Sequence, residues 1–167
     1  MRNFVENRNI MIQRPQSIFL LIVLIAEILV IAGWPLWTKT GMSGETAQVF
    51  ISEWTSQIQG KAQVEAQYIP LILLLISVAL TAYILFQFKN RMRQMALGLV
   101  NSMLIAATMG YSFYTIYKKT IPLFNPEMQG AYDLGFYALI VALLANMIAN
   151  RLIRKDEMLV QSSNRMR

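Results

Sequence analysis

The chain has 167 residues, 56% of them hydrophobic and 14% charged, with a mean hydropathy of +0.43 and a net charge of +6. It contains no cysteine and no histidine, which excludes disulfides, thiol redox chemistry, Cys- or His-based catalytic dyads, haem and iron–sulfur attachment, and the common zinc and copper ligand sets. No cofactor and no metal is expected, and the apolar excess is that of a membrane protein rather than a soluble enzyme.

Residues 1–15 read as a short N-terminal segment carrying Arg2, Arg8 and Arg14. Four stretches nearly free of charge follow: Pro15 to Thr38, Ala66 to Phe88, Gln94 to Tyr117 and Leu134 to Asn150. A helix needs ~20 apolar residues to cross a ~30 Å hydrocarbon core, so the first three are long enough and the fourth is short. The expected fold is an all-α integral membrane four-helix bundle spanning residues 16–153, with helices over about 16–37, 68–88, 94–117 and 133–153. Residues 154–167 form a basic tail.

A basic start before an apolar run also describes a secretory signal, and Val30 and Ala32 offer a small-residue cleavage pattern. The run is longer than a signal core, and Glu27 interrupts it where a signal should be most apolar, so a retained helix is expected. The segment between the first two spans has Gly41 and Gly44 near its start and Gly60 near its middle. Between them Ala47, Phe50, Ile51, Trp54 and Ile58 recur at helical spacing, with Glu53, Ser56 and Gln57 opposite. That spacing predicts a short amphipathic helix on the outer membrane surface, an anchor or, alternatively, a docking surface.

Lys89 to Arg93 is too short for anything but a tight antiparallel hairpin between the second and third helices. The third span has small residues at four-residue spacing, Gly98, Ser102, Ala106 and Gly110, and the fourth offers Ala138, Ala142, Ala145 and Ala149. Such faces let helices approach closely, which puts the third helix at the centre of the bundle; homodimerisation is the alternative use. Residues 118–133, with Pro122 and Pro126, should be irregular.

With the N-terminus inside, eleven Lys and Arg fall on the cytoplasmic side against four outside, Lys39, Lys61, Lys118 and Lys119. This bias predicts both termini in the cytoplasm, and it accounts for the net positive charge without any role for nucleic acid.

Glu27 is the one ionisable residue deep within a span, almost midway between Arg14 and Lys39. An acidic group there costs ~2.5–3.5 kcal/mol on insertion scales, so it should face the interior and find partners. Ser77, Thr81 and Thr108 lie at a similar depth, and the absence of a cation favours a neutral carboxyl that donates a hydrogen bond. A proton or cation site is the functional alternative. Asn101, Asn146 and Asn150 are expected to hydrogen-bond between helices.

A second candidate is the cytoplasmic rim formed by Arg14, Lys89, Arg91, Arg93, Arg151, Arg154 and Lys155. It would contact the phosphates of anionic lipid or dock a membrane-protein partner, a second copy of the chain included.

Three short motifs add a resemblance. Ile12, Gln13, Arg14, Gln16 and Ser17 precede the first span; Lys89, Asn90, Arg91 and Gln94 lie in the hairpin; Arg154, Lys155, Asp156, Glu157, Leu159, Val160, Arg165 and Arg167 lie at the end. In these the chain resembles a bacterial family of small four-helix membrane proteins of unknown function. The resemblance implies four membrane helices and an inner-membrane location, and brings no activity, cofactor or catalytic residue. Members of that family begin near the Ile-Gln-Arg motif, which makes Met1 to Ile10 a departure and leaves Met1 and Met11 as alternative starts. The functional expectation is a non-enzymatic accessory or scaffold subunit of an envelope complex. A small carrier or proton-coupled component using Glu27 is the alternative.

Overall fold

The computed structural model describes residues 15–58, 60–87, 90–124, 127 and 129–165. Among them are four helices, α1 (Pro15–Ile31), α2 (Tyr68–Phe86), α3 (Arg91–Thr115) and α4 (Leu134–Arg165). There are also five strands, β1 (Trp37–Thr40), β2 (Thr46–Val49), β3 (Glu53–Ile58), β4 (Lys61–Ala66) and β5 (Ala131–Tyr132). The strands form one antiparallel sheet in the order β4-β3-β2-β1-β5. The all-α four-helix bundle expected from the sequence is therefore overturned: the chain has four helices together with a five-stranded antiparallel sheet.

The sheet replaces both the amphipathic helix and the end of the first span. α1 stops at Ile31 because Gly33 takes a left-handed φ of +107°, its N–H closing on Val30 O and that of Trp34 on Leu29 O, and Pro35 then prevents the helix from resuming. From Trp37 onward burial alternates. Trp37, Lys39, Ala47, Val49, Trp54 and Ser56 point inward, and the register pairs Trp37 with Val49, Lys39 with Ala47, Ala47 with Ser56 and Val49 with Trp54. The turn at Phe50 to Ser52 shifts the phase between β2 and β3, so two runs of period 2 imitate one run of period 3.6. The β3–β4 turn ends on Gly60 at φ +76°, a conformation that favours glycine.

The four helices run alternately up and down. Polar contacts join α2 to α3, Phe113 of α3 stacks edge-on to Phe136 of α4 at 5.0 Å, and Gly135 at the start of α4 donates to Pro35 O just beyond α1. Principal contacts run from α1 to α2 to α3 to α4 and back to α1, so α3 is not central. Its small face is only half used: Gly98 packs on α4, whereas Ala106 and Gly110 are exposed. All four alanines of α4 are buried. α3 passes into a π-helical turn at Ile116–Thr120, closed by Ile121 N–H on Ile116 O at 2.9 Å. β5 adds a short strand to the stretch expected to be wholly irregular.

Three helices are long and apolar enough to cross a membrane, over Tyr68–Phe86, Arg91–Thr120 and Leu134–Leu159. α1, with 17 residues, spans ~26 Å and falls short of a ~30 Å core. α4 continues unbroken to Arg165, within the expected tail. The exposed helical surface is strongly apolar, and several polar side chains lie inside. Ile18, Ile25, Ile72, Ile76, Leu99 and Met103 are exposed, while Gln16, Glu27, Ser77, Thr81, Asn101 and Asn146 are buried. An apolar exterior around an interior in which these polar groups lie among Leu20, Val23, Leu74, Ile105 and Leu139 is the pattern expected of helices with hydrocarbon outside.

Glu65 on β4 accepts from the Lys119 ammonium and, at 3.0 Å, from the Trp54 indole N–H. These bonds, Lys119 first, hold its carboxyl below the usual glutamate range. A carboxyl lowered on folding adds stability that is present above its unfolded value and lost as the pH falls through its folded value. The β3–β4 hairpin should therefore loosen only in acid, and modestly, since both charged partners are exposed. In the proton NMR spectrum the Trp54 indole N–H should titrate with a midpoint below that of an ordinary glutamate, and Glu65→Gln should abolish that titration.

Candidate functional site

The sequence candidates fall into two places. Glu27, on the inner face of α1, is fully buried between α1 and α2. Its Oε1 lies 2.5 Å from Ser77 Oγ and its Oε2 accepts from Thr81 Oγ1 at 3.2 Å; Ser77 and Thr81 sit one turn apart on α2. Asn101 of α3 closes the circuit, its Nδ2 donating to Thr81 Oγ1 at 2.9 Å and its Oδ1 accepting from Ser77 Oγ at 2.8 Å. Four side chains from three helices thus share four contacts in a closed ring.

Counting hydrogens fixes the chemistry of this ring. Ser77 and Thr81 supply one each, and the Asn101 amide directs one into the circuit, which makes three for four contacts. The fourth hydrogen has to come from the carboxyl. Turning the Asn101 amide over reverses the direction of the ring but leaves the count unchanged. A neutral Glu27 satisfies every contact, whereas a carboxylate leaves one pair of oxygens facing each other with no hydrogen between them.

Thr108, the third expected partner, does not join. Its Oγ1 donates to Leu104 O of its own helix at 2.9 Å, nearly two turns beyond Asn101. Asn101 could have been assigned to Glu27 from the hairpin alone. Ser77 precedes Gln87 by ten residues and Asn101 follows Asn90 by eleven, so an antiparallel pairing puts them at one depth.

Asn146 of α4 donates to Gly98 O at 2.8 Å and to Ser102 Oγ at 2.9 Å, joining α3 to α4. A Cβ on Gly98 would lie 2.6 Å from Asn150 Oδ1, so a larger residue there would displace the Asn150 carboxamide. The expected interhelical role of the three asparagines thus holds for Asn101 and Asn146, while Asn150 contributes its packing against Gly98.

Of the rim residues, Arg14 and Lys89 lie outside the described residues. Arg91, at the start of α3, donates to Asp156 O of α4 at 2.9 Å, which brings the start of α3 and the later turns of α4 to one end of the molecule. Arg93, Arg151, Arg154 and Lys155 are exposed at this end, opposite the sheet. Among the described residues none of them has a carboxylate partner.

Lys39, which the sequence assigns to a loop, is 1% exposed. Its ammonium donates to Ile121 O at 2.8 Å and lies 5.0 Å from the centre of the Phe124 ring, fastening β1 to the segment after α3. Burial lowers its pKa from the ordinary lysine value. Only the alternation of β1, invisible while Trp37 counted as helix and Thr38 as the end of its apolar stretch, would have revealed it.

Four antiparallel helices with a buried polar ring, an apolar exterior and a sheet at one end define the class: a helical protein three of whose helices are long and apolar enough to cross a membrane. The chain belongs to the family described as Domain of unknown function (DUF4293), which it matches over residues 12–166. No curated protein matches it.

Proposed function

We propose that this chain is a non-enzymatic accessory or scaffold subunit of an envelope complex, a multi-pass protein of a bacterial inner membrane with both ends in the cytoplasm. The observation that carries this reading is the closed ring around Glu27. A carrier's carboxyl must meet its ion or proton and release it, yet both oxygens of Glu27 are held by Ser77 and Thr81 and the group is fully buried. The groove between α1 and α4 and that between α3 and α4 are lined by other residues. The orientation is supported by the basic residues exposed at the end opposite the sheet, as the cytoplasmic bias of Lys and Arg requires.

The accessory role leaves two surfaces for a partner, the basic end and the free edge of β4, all six residues of which are exposed. Purification in mild detergent should retain a stoichiometric membrane partner. A solitary protein that moves solute or protons in liposomes would overturn the proposal.

A further inference from the structure

The geometry points to a binding site for one anionic glycerophospholipid in the groove between α3 and α4, its phosphate held by Arg151 and Arg154. The groove encloses about 650 Å³, within the range of small-molecule sites. Its walls are hydrocarbon: Met95 and Leu99 from α3, and Leu144, Met147 and Ile148 from α4. Asn150, Arg151 and Arg154 gather toward the basic end, while Ser102 lies toward the other, beside Asn146. Ser102 Oγ, in the wall, is already engaged, accepting from Asn146 and donating to Gly98 O. Arg151 and Arg154, one helical turn apart at the mouth, are exposed and have no carboxylate partner among the described residues.

Charge and shape together select the occupant. A groove running ~15 Å along α4 from Leu144 to Arg154, apolar over its first ~6 Å and carrying two guanidiniums at the other end, matches the upper part of an acyl chain with a single anionic head. Guanidinium forks bind phosphate oxygens in pairs, and the basic end is where the proposed orientation sets the headgroups of the inner leaflet. Asn150 lines the groove beside the arginines, its buried carboxamide oxygen turned toward Gly98 rather than into the groove. A partner helix would need an acidic residue at one end and no polar group along the rest; a lipid has that distribution by constitution. The proposal rests on the membrane reading of the helices and not on the accessory role.

The test is native mass spectrometry of the delipidated full chain, titrated with phosphatidylglycerol, with phosphatidylcholine of the same chains, and with glycerol 3-phosphate. One phosphatidylglycerol should bind in preference to either of the others. Arg151→Gln/Arg154→Gln should weaken it roughly thirtyfold, about fivefold for each basic group beside anionic lipid. Leu144→Trp, which fills the trough without touching a charge, should weaken it as well. Lys61→Gln/Lys118→Gln, an equal change of net charge at the sheet end, should leave the affinity unchanged.

Equal affinity for phosphatidylcholine, equal losses in the two double variants, or binding of glycerol 3-phosphate as tight as that of the lipid would each overturn the site. So would a dimer sealed through Leu99 and Leu144, which would give the groove to a second copy. Release of the chain from membranes by alkaline carbonate would instead sink the membrane reading, so the two failures are distinguishable.

Discussion

Glu27→Gln should leave the protein folded with its stability changed by less than about 1 kcal/mol, while Glu27→Ala should cost about 3 kcal/mol. Glutamine keeps the hydrogen count: its carbonyl accepts from one hydroxyl of the ring and its amide donates to the other, as the neutral acid does. Alanine removes two interhelical bonds, each worth ~0.6–1.7 kcal/mol in helical membrane proteins, and leaves a cavity between α1 and α2. Thermal unfolding in detergent measures both. A carboxylate in the ring would give a different ordering, because Glu27→Gln would then relieve a buried charge and raise stability markedly. Ser77→Ala should fall between the two variants, since it breaks two contacts of the ring but leaves Thr81 bonded to both Glu27 and Asn101.

The second large effect lies where α1 gives way to the sheet. A Cβ on Gly135 would meet Trp34 O at 2.6 Å and Pro35 O at 2.7 Å, and these are backbone atoms that no rotamer change can move. The approach is held by Gly135 N–H on Pro35 O at 2.9 Å and Asp133 N–H on Leu36 O at 3.0 Å. Gly135→Ala must therefore push the start of α4 away from the chain leaving α1, at a cost of ~1–3 kcal/mol or more. Gly110→Ala is the matched control. Nothing lies within 4 Å of its added methyl group, and the exposed middle of α3 should gain ~0.5–1 kcal/mol from the better helix former. Similar losses in both variants would mean that the junction is looser than the distances indicate.

The helices were legible because apolar runs bounded by charge or proline leave few alternatives. The hairpin, the inward direction of Glu27 and its contacts with Ser77 and Thr81 follow from that framework. The sheet was not legible, for reasons local to particular residues. Trp37 and Thr38 extend the hydropathy of the first span, although Gly33 and Pro35 already end its helix. Ala47, Phe50, Ile51, Trp54 and Ile58 satisfy helical spacing because a turn resets the strand phase, and Thr46, Val49, Thr55 and Val64, which favour strands, carried the contrary signal. Lys39 shows the consequence. A residue counted as a loop cation is the buried anchor of β1, a role that requires knowing which way the strand faces.

The ring itself marks the limit of sequence reading. Depth suggested Thr108, which turns back on its own helix, whereas the partner that completes the circuit is Asn101, a residue fixed by hairpin geometry rather than by chemistry alone. Its closure supports the proposed role of a pin between three helices over that of a site that exchanges protons.

Proton flux across liposomes containing the purified full chain, measured under an imposed pH gradient for the native protein and for Glu27→Gln, tests that distinction most directly. Flux should be no greater than in protein-free liposomes for both. A flux carried by the native protein and abolished by the folded Glu27→Gln variant would contradict it.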